Sequence, residues 1–388
     1  MSLPSPGPQL DDSQFLERAD PLAMLREVAG AGAQVREAAG AAAEAGLARL
    51  ADDGRPRAVV VVGVGVSALC GELLLALAGP RCPVPVTIHR GSALPRWVGA
   101  ADVVCHVSAT GAVDETLPVV EQAVSRGCSL VGAGPDGSPL AELIARGRGV
   151  FVPVLAGRLP RASLWSLAVP LLLAGQALDL LPAGSDDLAA AADRLDAVAE
   201  QCRPTSESFV NPAKQLALDL AGTLPVVWGT SPLTGVAAAR LVAQLAANAK
   251  CPGLSGVLPE SGRDQVALFD GIFGGPRTAA GDPATGRAER DIFADPADEP
   301  ESVRLRLVLL HDPDADPLIR READAASDLA RARGLEVTEL VADGAGPVER
   351  FASVVALPDF ASVYLALLGG IDPTPTTSVA DLQARLAP

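Results

Sequence analysis

The segment at residues 58–62, an alanine followed by four valines, limits the fold more than any other feature of this sequence. Consecutive β-branched residues predict a strand that is buried on both faces, as in a parallel sheet. The run ends at Gly63 and Gly65, which permit a tight turn, and apolar residues at 69–77 then predict a helix that starts near Ser67. Backbone N–H groups at a helix start lack partners, so an anion is favoured there. A serine N-cap with no ligand fits this stretch equally well.

The turn differs from two common phosphate-binding loops. A G-x-G-x-x-G loop needs a third glycine, but Ser67, Ala68 and Leu69 follow Gly65. No Gly-Lys-Ser/Thr sequence follows, so the turn is not a P-loop. From its own sequence, the stretch fits an anion site and a ligand-free strand–turn–helix junction equally well.

Composition and charge exclude several classes of function. The chain has 388 residues, of which 49% are hydrophobic, and this length corresponds to about two domains. The net charge of −16 argues against nucleic-acid binding and against an anionic membrane surface. Histidines are scattered through the chain, so we predict no metal site, and we expect no cofactor.

The cysteines and the N-terminus predict a cytoplasmic protein. The six cysteines form no C-x-x-C pair, which in a long chain is typical of buried thiols in a reducing compartment. The N-terminus has no recognisable signal peptide. An apolar run at residues 163–181 contains Pro170 and is interpreted as a buried core helix, with a membrane span as the alternative.

Strands and helices alternate from Arg57 onward, which predicts α/β domains with parallel sheets covered by helices on both faces. Strands are predicted at residues 58–62, 84–89, 102–108, 129–132 and 149–155, and then at 224–228, 306–311 and 336–341. Helices are predicted at residues 67–77, 115–126, 139–145, 163–181, 186–201, 212–220, 235–247, 317–333 and 360–368, with a last helix from Ser378. Each unit is expected to form an α-β-α sandwich.

Composition also suggests where the domains begin and end. The expected parts are a disordered tail at 1–12, a first domain at 13–182 with two N-terminal helices, a linking helix at 183–204, and a second domain at 205–388 with a mobile loop at 274–302. Ligands of open parallel sheets bind beyond the carboxyl ends of the strands. The glycine turn and a loop at residues 108–116 would both lie at that edge.

Seven short motifs follow one another along residues 20–388. They are Gly-Val-Gly-Val-Ser-Ala at 63–68, Ser-Ala-Thr-Gly-Ala-Val-Asp-Glu-Thr at 108–116, Pro-Arg-Ala at 160–162, Asn-Pro-Ala-Lys at 211–214, Asn-Ala-Lys at 248–250, Leu-Pro-Glu at 258–260, and Ser-Val-Tyr-Leu-Ala at 362–366 followed by Asp-Pro-Thr-Pro at 372–375. Together they resemble the bifunctional phosphoglucose/phosphomannose isomerase family, whose members carry two sugar isomerase (SIS) domains. The resemblance implies two SIS-type domains, a sugar-phosphate ligand, and a homodimer whose site lies between the domains and includes elements of the partner chain.

The resemblance also implies which residues bind the phosphate. The family uses hydroxyls of the two first-domain loops, which correspond here to Ser67, Ser108 and Thr110, and Gly65 belongs to the same candidate set. Val113 stands where the family has a threonine, so one hydrogen bond worth about 1 kcal/mol is lost. The alternative is that Ser108 and Thr110 only cap the helix that follows.

The same resemblance implies that the acid–base residues have been replaced. Aldose–ketose isomerisation moves a proton between C1 and C2 through an enediol, so it needs a base and an acid. The family's glutamate, histidine and late lysine correspond here to Ala247, Arg263 and Gln383. Because an arginine pKa lies above about 12, Arg263 is a poor proton shuttle. We therefore expect weak or absent isomerase activity.

Several polar residues have two interpretations each. Arg161 could clamp a phosphate or carboxylate with two hydrogen bonds, or it could stack on the surface over the linking helix. Glu260 could replace the lost base or be a structural carboxylate, and Arg263 is the other candidate catalytic residue. Lys250 could be structural, and His106 could titrate near neutrality or support the strand end.

The sequence thus predicts a sugar-phosphate-binding protein on a glucose-6-phosphate/mannose-6-phosphate isomerase scaffold. The main alternative is a non-catalytic regulatory or partner subunit that senses a sugar phosphate or a nucleotide sugar. A third hypothesis is an isomerase that uses Glu260 as its base.

Overall fold

The chain forms two parallel β-sheets joined by a shared layer of helices. The computed structural model describes residues 8–52, 54–113, 115–181, 185–274 and 303–386. Residues 1–7 of the predicted tail and residues 275–302 of the predicted mobile loop lie outside these described residues. Residues 8–11 form a single 3₁₀ turn, and Leu10 within it is fully buried, so this part of the predicted tail is ordered.

The first half contains a parallel sheet of five strands in the order β2-β1-β3-β4-β5. Its strands are β1 (Val59–Val62), β2 (Val86–His89), β3 (Val103–Val107), β4 (Ser129–Gly134) and β5 (Val150–Pro153). Its helices are α1 (Ser13–Ala19), α2 (Met24–Ala29), α3 (Ala31–Glu44), α4 (Val66–Ala78), α5 (Leu117–Ser125), α6 (Pro139–Arg146) and α7 (Leu164–Ala177). All five strand predictions for this half are confirmed, whereas the N-terminal segment forms three helices instead of two.

The second half contains a parallel sheet of four strands in the order β7-β6-β8-β9. Its strands are β6 (Thr223–Gly229), β7 (Leu254–Val257), β8 (Arg304–His311) and β9 (Glu336–Val341). Its helices are α8 (Ser185–Gln201), α9 (Pro212–Leu220), α10 (Pro232–Gln244), α11 (Pro317–Ala332), α12 (Pro347–Leu368) and α13 (Thr377–Leu386). The predicted α/β class with helices on both faces of parallel sheets is confirmed in both halves.

One hydrophobic core is shared by the two halves. Successive side chains of a strand point to opposite faces, so Val59 and Val61 enter the shared core while Val60 and Val62 pack under α5 and α6. The inner face of the second sheet adds Val227 to the same core. Helices α3, α4, α7, α8, α10 and α12 pack in the layer between the sheets. The relative placement of the two sheets is therefore fixed by apolar burial.

Helix α12 has the length and apolar character of a membrane span but is a core helix. Of its most apolar window, 83% is buried inside the protein. Helix α7 is also almost entirely buried, which confirms the interpretation of the run at residues 163–181 as a core helix.

Candidate functional site

Two polar loops lie side by side where the order of the first sheet reverses. Strands β1 and β3 are hydrogen-bonded neighbours with Val62 opposite His106. The turn at residues 63–65 follows β1, and the loop that starts at Ser108 follows β3. This carboxyl edge is where open α/β sheets bind their ligands. The structure therefore brings Gly65, Ser67, Ser108 and Thr110 to one edge.

The first loop requires glycine at two positions. Gly65 has a φ of 56°, a left-handed value that glycine adopts without strain. A Cβ on Gly63 would lie 2.7 Å from the Cβ of Ser67, so only glycine lets the helix begin this close to the strand. Helix α4 begins at Val66 with Gly65 as its N-cap, and Ser67 therefore lies in the first turn. The expected serine N-cap is wrong, because the Ser67 hydroxyl makes no capping hydrogen bond.

The second loop is held by its own hydroxyl groups. Ser108 Oγ accepts a hydrogen bond from Gly111 N at 2.9 Å, and Thr110 Oγ1 accepts one from Ala112 N at 3.4 Å. Helix α5 begins at Leu117, later than residue 115 as predicted. Ser108 and Thr110 do not cap α5, so the alternative role given to them above is wrong. Because each hydroxyl accepts within the loop, its proton remains available for donation to a ligand.

Gly111 fixes the second loop against the start of α6. Its φ is 63°, and a Cβ there would lie 2.4 Å from Ser138 Oγ. The Gly111 carbonyl also accepts a hydrogen bond from Leu140 N at 3.0 Å. The loop is thus positioned by a packed helix, as precise ligand binding requires.

His106 supports both loops from below. Its Nδ1 lies 2.7 Å from the carbonyl oxygen of Val62, and its Nε2 lies 3.2 Å from Thr116 Oγ1. Burial lowers the pKa of His106 despite the bond to Val62, so the ring is neutral at pH 7. A carbonyl only accepts, so Nδ1–H donates to Val62 and Nε2 carries no proton. The Thr116 hydroxyl lies 3.2 Å from both Nε2 and the Val113 carbonyl oxygen, and these two acceptors compete for its single proton. The structural interpretation of His106 agrees with this geometry.

Arg161 joins the first half to the C-terminal segment. It lies in a 3₁₀ turn before α7, and its guanidinium donates to the carbonyl oxygens of Pro373, at 2.9 Å, and Thr374. Its own carbonyl accepts a hydrogen bond from Arg240 at 3.2 Å. Burial lowers the pKa of Arg161, while the nearby Asp372 carboxylate raises it.

Lys250 lies at the end of an irregular helical turn. Helix α10 continues into one π-helical turn over Leu245–Ala249, a geometry that is frequent at functional sites. Lys250 follows with a φ of 56°, and its Nζ donates to the carbonyl oxygens of Ala247, at 2.7 Å, and Asn248. The exposed ammonium group is thus held beside Ala247.

The structure does not bring the candidate catalytic residues into contact with the two loops. Glu260 is the first residue of a short 3₁₀ turn after the edge strand β7, Arg263 directly follows that turn, and both are exposed. Within the described ranges, neither side chain forms a hydrogen bond or an ion pair. Gln383 lies on α13 and is also exposed.

Among the described residues, the second sheet has no comparable anion site. Strands β6 and β8 occupy the positions that β1 and β3 occupy in the first sheet. Here the Ser231 hydroxyl caps α10 by accepting from Thr234 N, and it donates to Asp312 Oδ2 at 2.7 Å. Asp312 is only 5% exposed and pairs with Arg350. An internal carboxylate thus occupies this edge of the second sheet, whereas the corresponding edge of the first sheet carries the hydroxyls of Ser67, Ser108 and Thr110.

The chain is similar to known sugar-phosphate isomerases over most of its length. The family model described as the bacterial phospho-glucose isomerase C-terminal SIS domain matches residues 209–386. A bifunctional phosphoglucose/phosphomannose isomerase of Caldicellulosiruptor bescii is 27% identical over 85% of this chain and 89% of the relative. One from Aquifex aeolicus is 24% identical over 85% of this chain and 90% of the relative.

A solved structure confirms the fold across both halves. The crystal structure of a hypothetical protein from Thermus thermophilus superposes with a TM-score of 0.66 at 16% identity, covering 98% of this chain and 95% of that one. Since the family model identifies the second half as an SIS domain, the predicted SIS-type fold is confirmed.

Proposed function

The chain belongs to the bifunctional phosphoglucose/phosphomannose isomerase family, and we propose that it binds a sugar phosphate at the β1/β3 edge of the first sheet. The observation that carries this proposal is the pairing of two hydroxyl-bearing loops at that edge. Ser67 lies in the first turn of α4, where unpaired N–H groups favour an anion. Ser108 and Thr110 each keep a hydroxyl proton to donate.

We further propose that isomerase activity is weak or absent. The chemistry needs a group that removes the proton from C2, and such a base contributes about 10²–10⁴ in rate. Ala247 cannot transfer a proton, and neither Arg263 nor Gln383 can act as the missing base at neutral pH. Retention of the phosphate loops beside these replacements favours a protein that senses a sugar phosphate over an efficient enzyme.

The test is an isomerase assay of the purified protein combined with a thermal-shift screen. Glucose 6-phosphate, fructose 6-phosphate and mannose 6-phosphate are the first ligands, and we expect binding without turnover at ordinary enzyme rates. A ligand at 100 times its dissociation constant stabilises the folded state by about 2.7 kcal/mol. Rapid turnover would refute the loss of activity, and the absence of any shift would refute sugar-phosphate binding.

The second candidate function is a regulatory or partner subunit that senses a sugar phosphate or nucleotide sugar. A sensing subunit differs from a residual isomerase in the role of Glu260, which acts as the catalytic base only in the isomerase. If slow turnover is found, Glu260→Gln separates the two, because an enzyme that uses Glu260 as its base loses its turnover. A sensing subunit keeps its ligand affinity in the same variant.

We also propose that the protein is a homodimer in which the α13 helices are exchanged between the two copies. Helix α13 has ten residues, fewer than the ~12 that an isolated helix needs in water, and its side chains from Thr377 to Arg385 are all exposed. Val379 and Leu382 form an apolar stripe that is 52% and 59% exposed. An apolar groove of about 640 Å³ between α4, α10 and β7 is the surface we assign to this stripe.

Leu382→Asp is expected to convert the dimer to a monomer. The change places a charge in the apolar stripe, while Ala384→Asp introduces the same charge on the opposite side of the helix. Light scattering coupled to size-exclusion chromatography at micromolar concentration distinguishes the two masses. A dimer that survives Leu382→Asp, or that dissociates equally with Ala384→Asp, contradicts docking through this stripe.

The remaining expectations about partners and location stay proposals. All six cysteines are unpaired, which supports a reducing cytoplasmic location. The net charge of −16 supports a small-molecule ligand and gives no support to a nucleic-acid or membrane partner.

A further inference from the structure

The polypeptide that follows α12 is fixed in place as far as Thr374. Gly370 has a φ of 66°, and the Ile371 N–H donates to the carbonyl oxygen of Ala366 at 2.8 Å. This is the Schellman geometry, in which a left-handed glycine reverses the chain and satisfies the last helical carbonyls. Asp372 Oδ1 then accepts a hydrogen bond from Thr374 N at 2.9 Å. The segment therefore has a defined conformation.

Arg161 attaches this segment to the first half of the chain. Its Nη2 group donates to the carbonyl oxygen of Pro373 at 2.9 Å and to that of Thr374, and both of these residues are buried. Hydrogen bonds from a charged donor are about twice as strong as neutral ones. The Arg161 carbonyl is itself bound by Arg240, which forms a buried ion pair with Asp359 at 2.6 Å. The clamp formed by Arg161 is thus connected to a buried polar network.

Helix α13 begins three residues after the clamp, and little of the intervening chain is free to rotate. Pro375 has a φ angle fixed by its ring. The Thr376 carbonyl already accepts a hydrogen bond from Ala380 N at 3.1 Å, as in the first turn of a helix. The helix therefore projects from the clamp as a rigid arm. The side chains of residues 377–385 are all exposed, so the apolar stripe of α13 is open to solvent in the single chain.

A rigid base determines which groove the arm can fill. The hydrophobic effect favours burial of the stripe, and a loosely tethered helix is free to fold back onto the groove between α4, α10 and β7 of its own chain. The clamp instead holds the arm at one angle, and at that angle the stripe is uncovered. A second copy of the chain is then the partner that can cover it. Fixing the arm before association also lowers the entropic cost of docking.

We propose that Arg161 is a positioning residue for assembly, because its clamp on Pro373 and Thr374 directs α13 away from its own chain and onto a second copy. This inference rests on the exchange of α13 in the proposed function and adds the contact that enforces it. Both Nη2 protons of Arg161 are used by the two carbonyls, and its Nε is buried. The guanidinium is thus committed to the arm.

Arg161→Met is expected to raise the dissociation constant of the dimer at least tenfold, which corresponds to about 1.4 kcal/mol. Light scattering over a dilution series of the full chain measures this constant. Arg158→Met is the matched control, because it makes the same chemical change three residues earlier, at a side chain that pairs with Glu37, and it should keep the wild-type constant. Arg161→Lys keeps a charged donor but not the fork of two N–H groups, and we expect it to weaken the dimer at least threefold.

Hydrogen exchange provides a measurement that general destabilisation would not reproduce. It is carried out in the Leu382→Asp background, where the chain is expected to be a monomer with or without the clamp. Adding Arg161→Met should make peptides from residues 369–386 exchange at least tenfold faster. Peptides that contain β1 and β3 should exchange at an unchanged rate, whereas a general loss of stability would accelerate both sets.

The outcomes separate this inference from the exchange of α13 itself. A wild-type dissociation constant in Arg161→Met refutes the clamp and leaves the exchange of α13 standing. Equal weakening by Arg158→Met, or unchanged exchange of residues 369–386, also refutes the clamp. If Arg161→Met does not fold, a wild-type constant in Arg161→Lys refutes it. If the wild-type chain is a monomer at micromolar concentration, the exchange of α13 and the clamp both fail.

Discussion

Replacing Lys214 with methionine is expected to lower the free energy of unfolding by about 3 kcal/mol or more, because each stranded acceptor costs about 1–3 kcal/mol. Lys214 is fully buried, and its Nζ donates to the carbonyl oxygens of Leu10, Pro204 and Ser206, with the Asp11 carboxylate at 3.5 Å. Methionine fills similar space but donates nothing. Three carbonyl groups from two distant segments then lose their donor together.

Lys250→Met is a closely matched control for this change. Lys214 and Lys250 are the only two lysines in the sequence, so the two variants make the same chemical change and remove the same charge. Lys250 is exposed, and water can replace it at the carbonyls that it binds. We expect its substitution to cost less than about 1 kcal/mol.

Urea unfolding monitored by circular dichroism measures both effects. A lower midpoint with an unchanged slope indicates a change in stability and not in the extent of unfolding. Equal midpoints for the two variants would show that the buried ammonium group does not hold the 3₁₀ turn at residues 8–11 in place.

Short motifs around Lys214 can be recognised in the sequence, but its long-range hydrogen bonds cannot. The Asn-Pro-Ala-Lys motif was recognisable, and Asn211 does cap α9 through its side chain. The partners of Lys214, however, include Leu10, which is 204 residues away. No local pattern encodes such a contact. The same holds for Arg161, whose acceptors lie 212 and 213 residues further along the chain.

Strands were predictable where β-branched residues are consecutive, as in β1. Strand β7 was missed because its sequence, Leu-Ser-Gly-Val, has one β-branched residue and two small ones. Its pairing with β6 defines it instead. Helix α12 begins at Pro347, thirteen residues before the predicted start at Phe360, and it contains Pro358, a residue that usually breaks or kinks a helix.

The site was predictable to the level of loops but not of individual hydrogen bonds. The order of strands and glycine turns was enough to place Ser67 and Ser108 at one edge of the first sheet. The contrast with the second sheet was not foreseen, because it depends on Asp312 reaching Ser231 across 81 residues. A carboxylate directly after a buried strand was the signal that could have indicated this.

Ser67→Asp is expected to weaken glucose 6-phosphate binding by at least a hundredfold. The Ser67 side chain lies in the first turn of α4 and is 7% exposed, so a carboxylate there stays close to the ligand's phosphate. Two unit charges about 4 Å apart repel by about 4 kcal/mol near a protein surface, and about 1.4 kcal/mol corresponds to a tenfold change in affinity. Ser67→Ala removes one hydrogen bond of about 1 kcal/mol, so we expect it to weaken binding roughly fivefold.

Ser13→Asp is the control that separates a local charge from the total charge of the chain. Ser13 also lies in the first turn of a helix, α1, but it is exposed and outside the β1/β3 edge. Calorimetric titration of all three variants, each checked for an intact thermal unfolding transition, gives the dissociation constants. A phosphate at the start of α4 is supported if Ser67→Asp binds glucose 6-phosphate most weakly and Ser67→Ala binds it more tightly, while Ser13→Asp keeps the wild-type affinity. If Ser67→Asp binds glucose 6-phosphate as tightly as Ser13→Asp does, the phosphate binds elsewhere, because a buried carboxylate in contact with it cannot be neutral in its effect.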